Sequence, residues 1–260
     1  MLASPRKRNI KLIIEYDGTA YAGWQYQDHQ PTVQGTLQHA IQRMLGHAVT
    51  LWVAGRTDAG VHAIAQVANF YTDSCIPTHK FPPGFNSYLP ADISVHCAEE
   101  VDEAFNAKRD SHSKRYRYRI YQGPQGAALE HRAWHLRSPL DVAAMHQASR
   151  CLVGELDFNA FRSVHCDAPH AIRHMFDIAF NETERPPVGR HIDITFHANA
   201  YCRHMCRILA GTLAEVGQGR RSIASVAAIL RSADRRQAGV TAPPKGLTLL
   251  SVGYADPTVS

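Results

Sequence analysis

Between Lys114 and Tyr121 the sequence KRYRYRIY alternates with period two. Side chains of an extended strand point alternately to opposite faces. Tyr116, Tyr118 and Ile120 therefore share one face, and Arg115, Arg117 and Arg119 share the other. Tyrosines facing inward from a strand are usually core residues with a satisfied hydroxyl. The arginine face reads as solvated or ion-paired. The stretch commits this part of the chain to a sheet with two chemically distinct sides.

The residues before it suggest what surrounds that sheet. Lys11–Gly18 reads as a strand ending in an Asp-Gly turn. The loop that follows holds Tyr21, Gly23, Trp24 and Gln25; its aromatics either stack on bases or pack back on the sheet. From Thr32, the positions Val33, Leu37, Ala40, Ile41, Met44 and Leu45 fall on one helical face, with Gly46 as the stop. Strands are expected at 49–54, 65–70 and 93–99, with a rigid Pro-Pro loop at 81–86. The order of strand, helix, two strands, an irregular or helical segment and a strand resembles a ferredoxin-like split βαβ unit.

Beyond Tyr121, Asp141 caps a helix whose face is Ala144, Met145, Ala148, Cys151 and Leu152. The segments 171–180 and 190–198 read as a hairpin turning through 181–189. A strongly periodic helix follows, with Met205, Ile208, Leu209, Thr212, Leu213 and Val216 as its stripe and Arg203 and Arg207 on another face. With 260 residues, 45% of them hydrophobic, the chain can build one large domain or two small ones.

The net charge of +5 is unevenly placed. Residues 201–245 carry eight basic side chains against Glu215 and Asp234, while the rest of the chain is nearly balanced. That points either to a polyanionic partner or to a solvated helical surface. No apolar run approaches the ~18 residues of a membrane span, and Met1–Arg8 has no apolar segment behind it, unlike a secretory signal. Six scattered cysteines fit free thiols in a reducing cytosol. Cys202, His204 and Cys206 lack a C-x-x-C pair and put His204 off the cysteine face, which argues against zinc.

The most telling stretch is Ala54–His62, AGRTDAGVH. It follows an apolar run, Leu51–Ala54, and turns at Gly55 and Gly60, which let a backbone or a flat ligand approach. In extended backbone Arg56 and Asp58 lie on one face and are expected to pair, keeping the carboxylate ionised. The other reading makes Asp58 a turn cap and Arg56 a solvated side chain.

This stretch resembles the G-R-T-D-A-G-V-H signature of the tRNA pseudouridine synthase A (TruA) family. Further likeness lies in the Tyr run at 114–121, in Gly154–Arg162, in Asn199–Ile208 and in Thr241–Tyr254. Phe105–Asp110 departs from the family pattern at Asn106, Lys108 and Arg109, so no RNA contact is assigned there.

The resemblance implies an α+β, pseudouridine synthase fold. Two ferredoxin-like halves share a mixed, mainly antiparallel sheet, with one half over 1–107 and the other over 108–260. It implies isomerisation of uridine to pseudouridine at positions 38, 39 and 40 of the tRNA anticodon stem-loop. Asp58 is then the catalytic carboxylate, Tyr116 lines the site against the uracil, and Arg56 holds Asp58 or reaches a phosphate. It further implies a cytoplasmic homodimer with a basic cleft, needing no cofactor or metal because the reaction conserves atoms and electrons. Three rivals stand beside this. One is a relative acting on other tRNA positions or another RNA. Another is a noncatalytic tRNA-binding or chaperone protein. The last is a metal-dependent hydrolase using His62, Asp58 and Asp17.

Overall fold

The structure, a computed structural model, describes residues 7–255. Residues Met1–Arg6, part of the stretch read above for a signal, lie outside it. The chain divides into two units, the first comprising residues 7–112 with 249–255 and the second residues 113–248. A single break at residue 107 does not describe this division, because the last strand, Leu247–Tyr254, lies beside a strand of the first unit.

In the first unit, β1 (Arg8–Tyr16) is followed by α1 (Val33–Leu45), β2 (Trp52–Val53), β3 (His62–Thr72), α2 (Phe81–Asn86) and β4 (Ile93–Val101). β1 runs antiparallel to both neighbours, with Leu12 opposite Ala68 of β3 and Ala98 of β4. β2 pairs antiparallel with the far side of β3. The resulting order β4–β1–β3–β2, with helical crossovers, is that of two interleaved split βαβ units. Ile10, Leu12, Ile14 and Tyr16 of β1 are all buried, as period-two alternation demands.

Local chemistry explains the helices. The Thr32 side chain accepts the Gly35 N–H at 3.2 Å, and Gly46 closes α1 at φ 79°. The 81–86 segment is not the rigid loop expected from its prolines but a short helix. Pro82 and Pro83 sit in its first turn, where backbone N–H groups have no helical partner anyway. Phe81 and Phe85 then fall one turn apart and stack with ring centroids 5.4 Å apart, both against Phe70.

The second unit contains β5 (Ser111–Gln122), β6 (Trp134–Leu136), α3 (Val142–Ser149), β7 (Gly154–Asp157), β8 (Ile172–Glu184), β9 (Arg190–Ala198), α4 (Met205–Gly217) and α5 (Ile223–Ser232). Here β5 pairs with β9, β9 with β8 and β8 with β7, all antiparallel, while β6 joins β5 in parallel. Tyr116, Tyr118 and Ile120 face the core, with Ile192, Ile194 and Phe196 opposite them on β9. The whole stripe read on α4 is buried. The hairpin turn is shorter than expected. Asn181–Glu184 still pair with β9, and the chain turns only through 185–189, where Gly189 has φ 106°. Arg203 precedes α4, so it does not share a helical face with Arg207.

Candidate active site and its family

The strand expected at 49–54 is reduced to Trp52–Val53, after which Ala54 makes one more bond, its N–H donating to Val67 O at 2.9 Å. The chain then leaves the sheet as a loop held from inside. Thr57 is buried, its hydroxyl 2.8 Å from the Tyr16 hydroxyl. The buried Gln66 amide donates to Gly55 O at 2.8 Å and to the Tyr16 hydroxyl at 3.3 Å. Burial pushes the Tyr16 phenol up to about 12, so it stays protonated. Asp58 O accepts the Val61 N–H at 3.1 Å, and Gly60 has φ 75°, which turns the chain back into β3.

The loop after β1 cradles this turn. Trp24 N–H donates to Thr57 O at 3.0 Å. A Cβ on Gly23 would stand 2.8 Å from that same carbonyl, and one on Gly18 would stand 2.0 Å from Val61 O. Only hydrogen fits at these two positions. The Gly18 N–H donates to His62 Nδ1 at 3.0 Å, and Asp17 Oδ1 lies 3.0 Å from the same nitrogen. His62 is thus a buried brace of the turn, and this Nδ1 is spent on the backbone. Trp24 is fully buried and its ring lies 6.0 Å from that of Tyr16, so the aromatics pack back on the sheet.

With Thr57 turned inward, Asp58 is half-buried and Arg56 is exposed. The expected Arg56–Asp58 pair does not form. Among the described residues Arg56 makes no hydrogen bond or ion pair. Arg56 and Asp58 do lie outside Thr57, as the two-residue spacing predicts, but the spacing does not by itself bring their charged ends together.

In the second unit, Tyr116 is buried on β5 opposite Phe196. Its ring meets that of Tyr201 edge-on at 5.1 Å. The Tyr201 hydroxyl donates to Lys114 O at 3.1 Å. Lys114 shares the inward face of β5 with Tyr116, and burial lowers its ammonium to about 8. On the outward face, Arg119 forms a two-pronged pair with Asp193, both distances 2.7 Å.

A family model described as tRNA pseudouridine synthase matches residues 12–108 and 148–255, which include the Asp58 turn. The chain belongs to the tRNA pseudouridine synthase family. The "tRNA pseudouridine synthase A" of Geobacter sp. (strain M21) is 45% identical over 251 residues, covering 96% of this chain and all of that protein. The protein of the same name from Geotalea daltonii is 43% identical over 248 residues, with 95% and 100% covered. The one from Myxococcus xanthus is 44% identical over 248 residues, with 95% and 92% covered. The chain is accordingly a pseudouridine synthase in fold and an isomerase, converting uridine to pseudouridine in tRNA.

Against this family background, the departures at 106–109 have a local explanation. Asn106 Oδ1 accepts the N–H groups of Lys108 and Arg109, both at 3.0 Å. Arg109 pairs with Asp110 at 2.7 Å, and that bond is the first reason the Asp110 carboxyl lies below its ordinary range. The turn is therefore self-contained. Much of the 201–245 charge is also spent internally. Arg207 donates to Ala242 O, Arg221 to Gln237 O, and Arg235 to Thr241 Oγ1, each at 2.8–2.9 Å. Sequence reasoning missed the brace of Tyr16, Thr57 and Gln66. Its members are far apart in the chain and carry no spacing signal. Gly18 and Gly23 were readable only as turn residues, not as contacts of the loop.

Proposed function

We propose that Asp58 is the carboxylate that acts on the ribose of the target uridine, at positions 38, 39 and 40 of the anticodon stem-loop. The observation that supports this is the clamp itself: a half-buried carboxylate at the tip of a turn fixed by Tyr16, Thr57, Gln66, Gly18 and Gly23. A plain turn cap needs no such frame, whereas a reacting group must be held in position. In the reaction the N1–C1′ bond breaks, the uracil turns, and C5 bonds to C1′. The C5 proton leaves and N1 gains one, so atoms and electrons balance within the nucleotide and no redox partner enters. A carboxylate beside C1′ serves as nucleophile, as stabiliser of positive charge, or as base at the 2′ carbon.

Tyr116 supplies a flat aromatic surface for the uracil, and the exposed Arg56 supplies a cation for an RNA phosphate. The target base leaves its stack at a cost of a few kcal/mol, offset by contacts to the backbone. The protein acts as a homodimer in the cytoplasm. Its six thiols are unpaired by disulfides, and among the described residues no helix is long and apolar enough to cross a membrane.

The position is tested by incubating the protein with an unmodified tRNA transcript bearing uridines at 38, 39 and 40. Pseudouridine is then mapped by carbodiimide adducts and primer extension. Stops at those three sites are expected. Stops confined to other arms of the tRNA would contradict the assignment.

A further inference from the structure

Two cysteines of the second unit meet across a pair of loops. Cys166 follows Arg162 in the segment between β7 and β8, and Cys202 lies three residues before α4. The Cys166 sulfur sits against the backbone that immediately follows Cys202. The loops are also joined by backbone. Ser163 N–H donates to Arg203 O at 3.0 Å, and Arg203 N–H donates to Cys166 Sγ at 3.3 Å. The Arg203 guanidinium adds a third tie, to His165 O at 3.3 Å. The two cysteines are thus brought together by bonds between their loops rather than by chance of side-chain rotation.

We propose that Cys166 and Cys202 form a redox-modification site, which a small-molecule disulfide converts to an intramolecular disulfide stapling the 163–168 loop to the segment that leads into α4. The chemistry is asymmetric. Cys166 is half-buried and reachable, whereas Cys202 is buried. Burial raises the Cys202 thiol to about 11, with Arg173 and Arg162 opposing that rise. Cys166, losing its proton, attacks one sulfur of the small disulfide and expels one thiol. Cys202, losing its proton in turn, attacks Cys166 Sγ and expels the second. Two protein thiols are oxidised and one disulfide is reduced to two thiols, so electrons and protons balance. The buried partner serves as the resolving cysteine, and the reaction is slow near neutral pH for want of its thiolate.

The test uses the reduced full chain incubated with oxidised glutathione. Remaining thiols are blocked with N-ethylmaleimide, and the protein is digested without reduction for mass spectrometry. The expected product is a linked peptide pair carrying Cys166 and Cys202, lost on adding dithiothreitol. Half-buried Cys151, whose Sγ faces a backbone carbonyl, is expected to be alkylated. In Cys202→Ser, and equally in Cys202→Ala, Cys166 is expected to retain glutathione. Cys166 retaining glutathione in the wild type, both cysteines being alkylated as readily as Cys151, or pairing of either with another cysteine would overturn the proposal.

Discussion

The hydroxyls of Tyr16 and Thr57 lie 2.8 Å apart, with both residues buried. They join the first strand of the sheet to the residue just before Asp58, so the position of the carboxylate depends on a polar contact inside the core. Thr57→Val keeps the shape and removes the partner. The Tyr16 hydroxyl is then left with only the longer bond from Gln66. A loss of about 1–3 kcal/mol in stability is expected, the usual cost of an orphaned buried polar group. Urea denaturation measures that loss. Turnover on tRNA is expected to fall further than the stability loss explains, because Asp58 is the next residue.

Gly23 and Gly46 both have positive φ, at 100° and 79°, but they differ in surroundings. A Cβ at Gly46 meets nothing within 4 Å, whereas one at Gly23 stands 2.8 Å from Thr57 O. Gly46→Ala is expected to cost only the backbone term, about 1–2 kcal/mol, with turnover unchanged. Gly23→Ala is expected to displace the Asp58 turn and lower turnover markedly. Equal activity in the two variants would contradict the packing argument.

Arg56 is exposed and bonds to nothing among the described residues. Arg56→Ala is therefore expected to leave stability within about 0.5 kcal/mol. The phosphate contact proposed for it predicts weaker tRNA binding and a salt slope shallower by about one unit. Filter binding across a salt series checks both.

Lys114 carries a charge that burial disfavours, and its ammonium is lowered to about 8 from 10.5. Between those values the unfolded chain holds the proton and the folded chain does not. Stability from this group therefore rises with pH across that window, and the penalty is fully present below about 8. In denaturation midpoints from pH 7 to 10.5, the gap between wild type and Lys114→Met is expected to shift steadily in favour of the wild type. A constant gap would contradict the assignment.

Much of the architecture is legible in the residues, and the failures have physical causes. Thr32 and Gly46 mark the ends of α1, and the apolar stripe of α4 is wholly buried, because caps and periodicity are local signals. The prolines of 81–86 leave loop and helix open, because their place in a first turn depends on Phe81 and Phe85 finding Phe70, a tertiary contact. A hairpin turn read from polarity alone comes out too long, because Asn181–Glu184 are polar yet paired and an exposed strand end needs no apolar pattern. The Asp58 motif was readable as a candidate site. Its frame was not, because Tyr16, Thr57 and Gln66 meet only after β1 and β3 have paired.

The most direct measurement compares wild type with Asp58→Asn on an anticodon stem-loop transcript tritiated at uridine C5. Tritium release reports loss of the C5 hydrogen, and filter binding reports affinity. Release by the wild type is expected, with a drop of more than about a hundredfold in the variant and binding retained. Release by Asp58→Asn at the wild-type rate, with binding equally intact, would contradict the claim that this carboxylate carries the reaction.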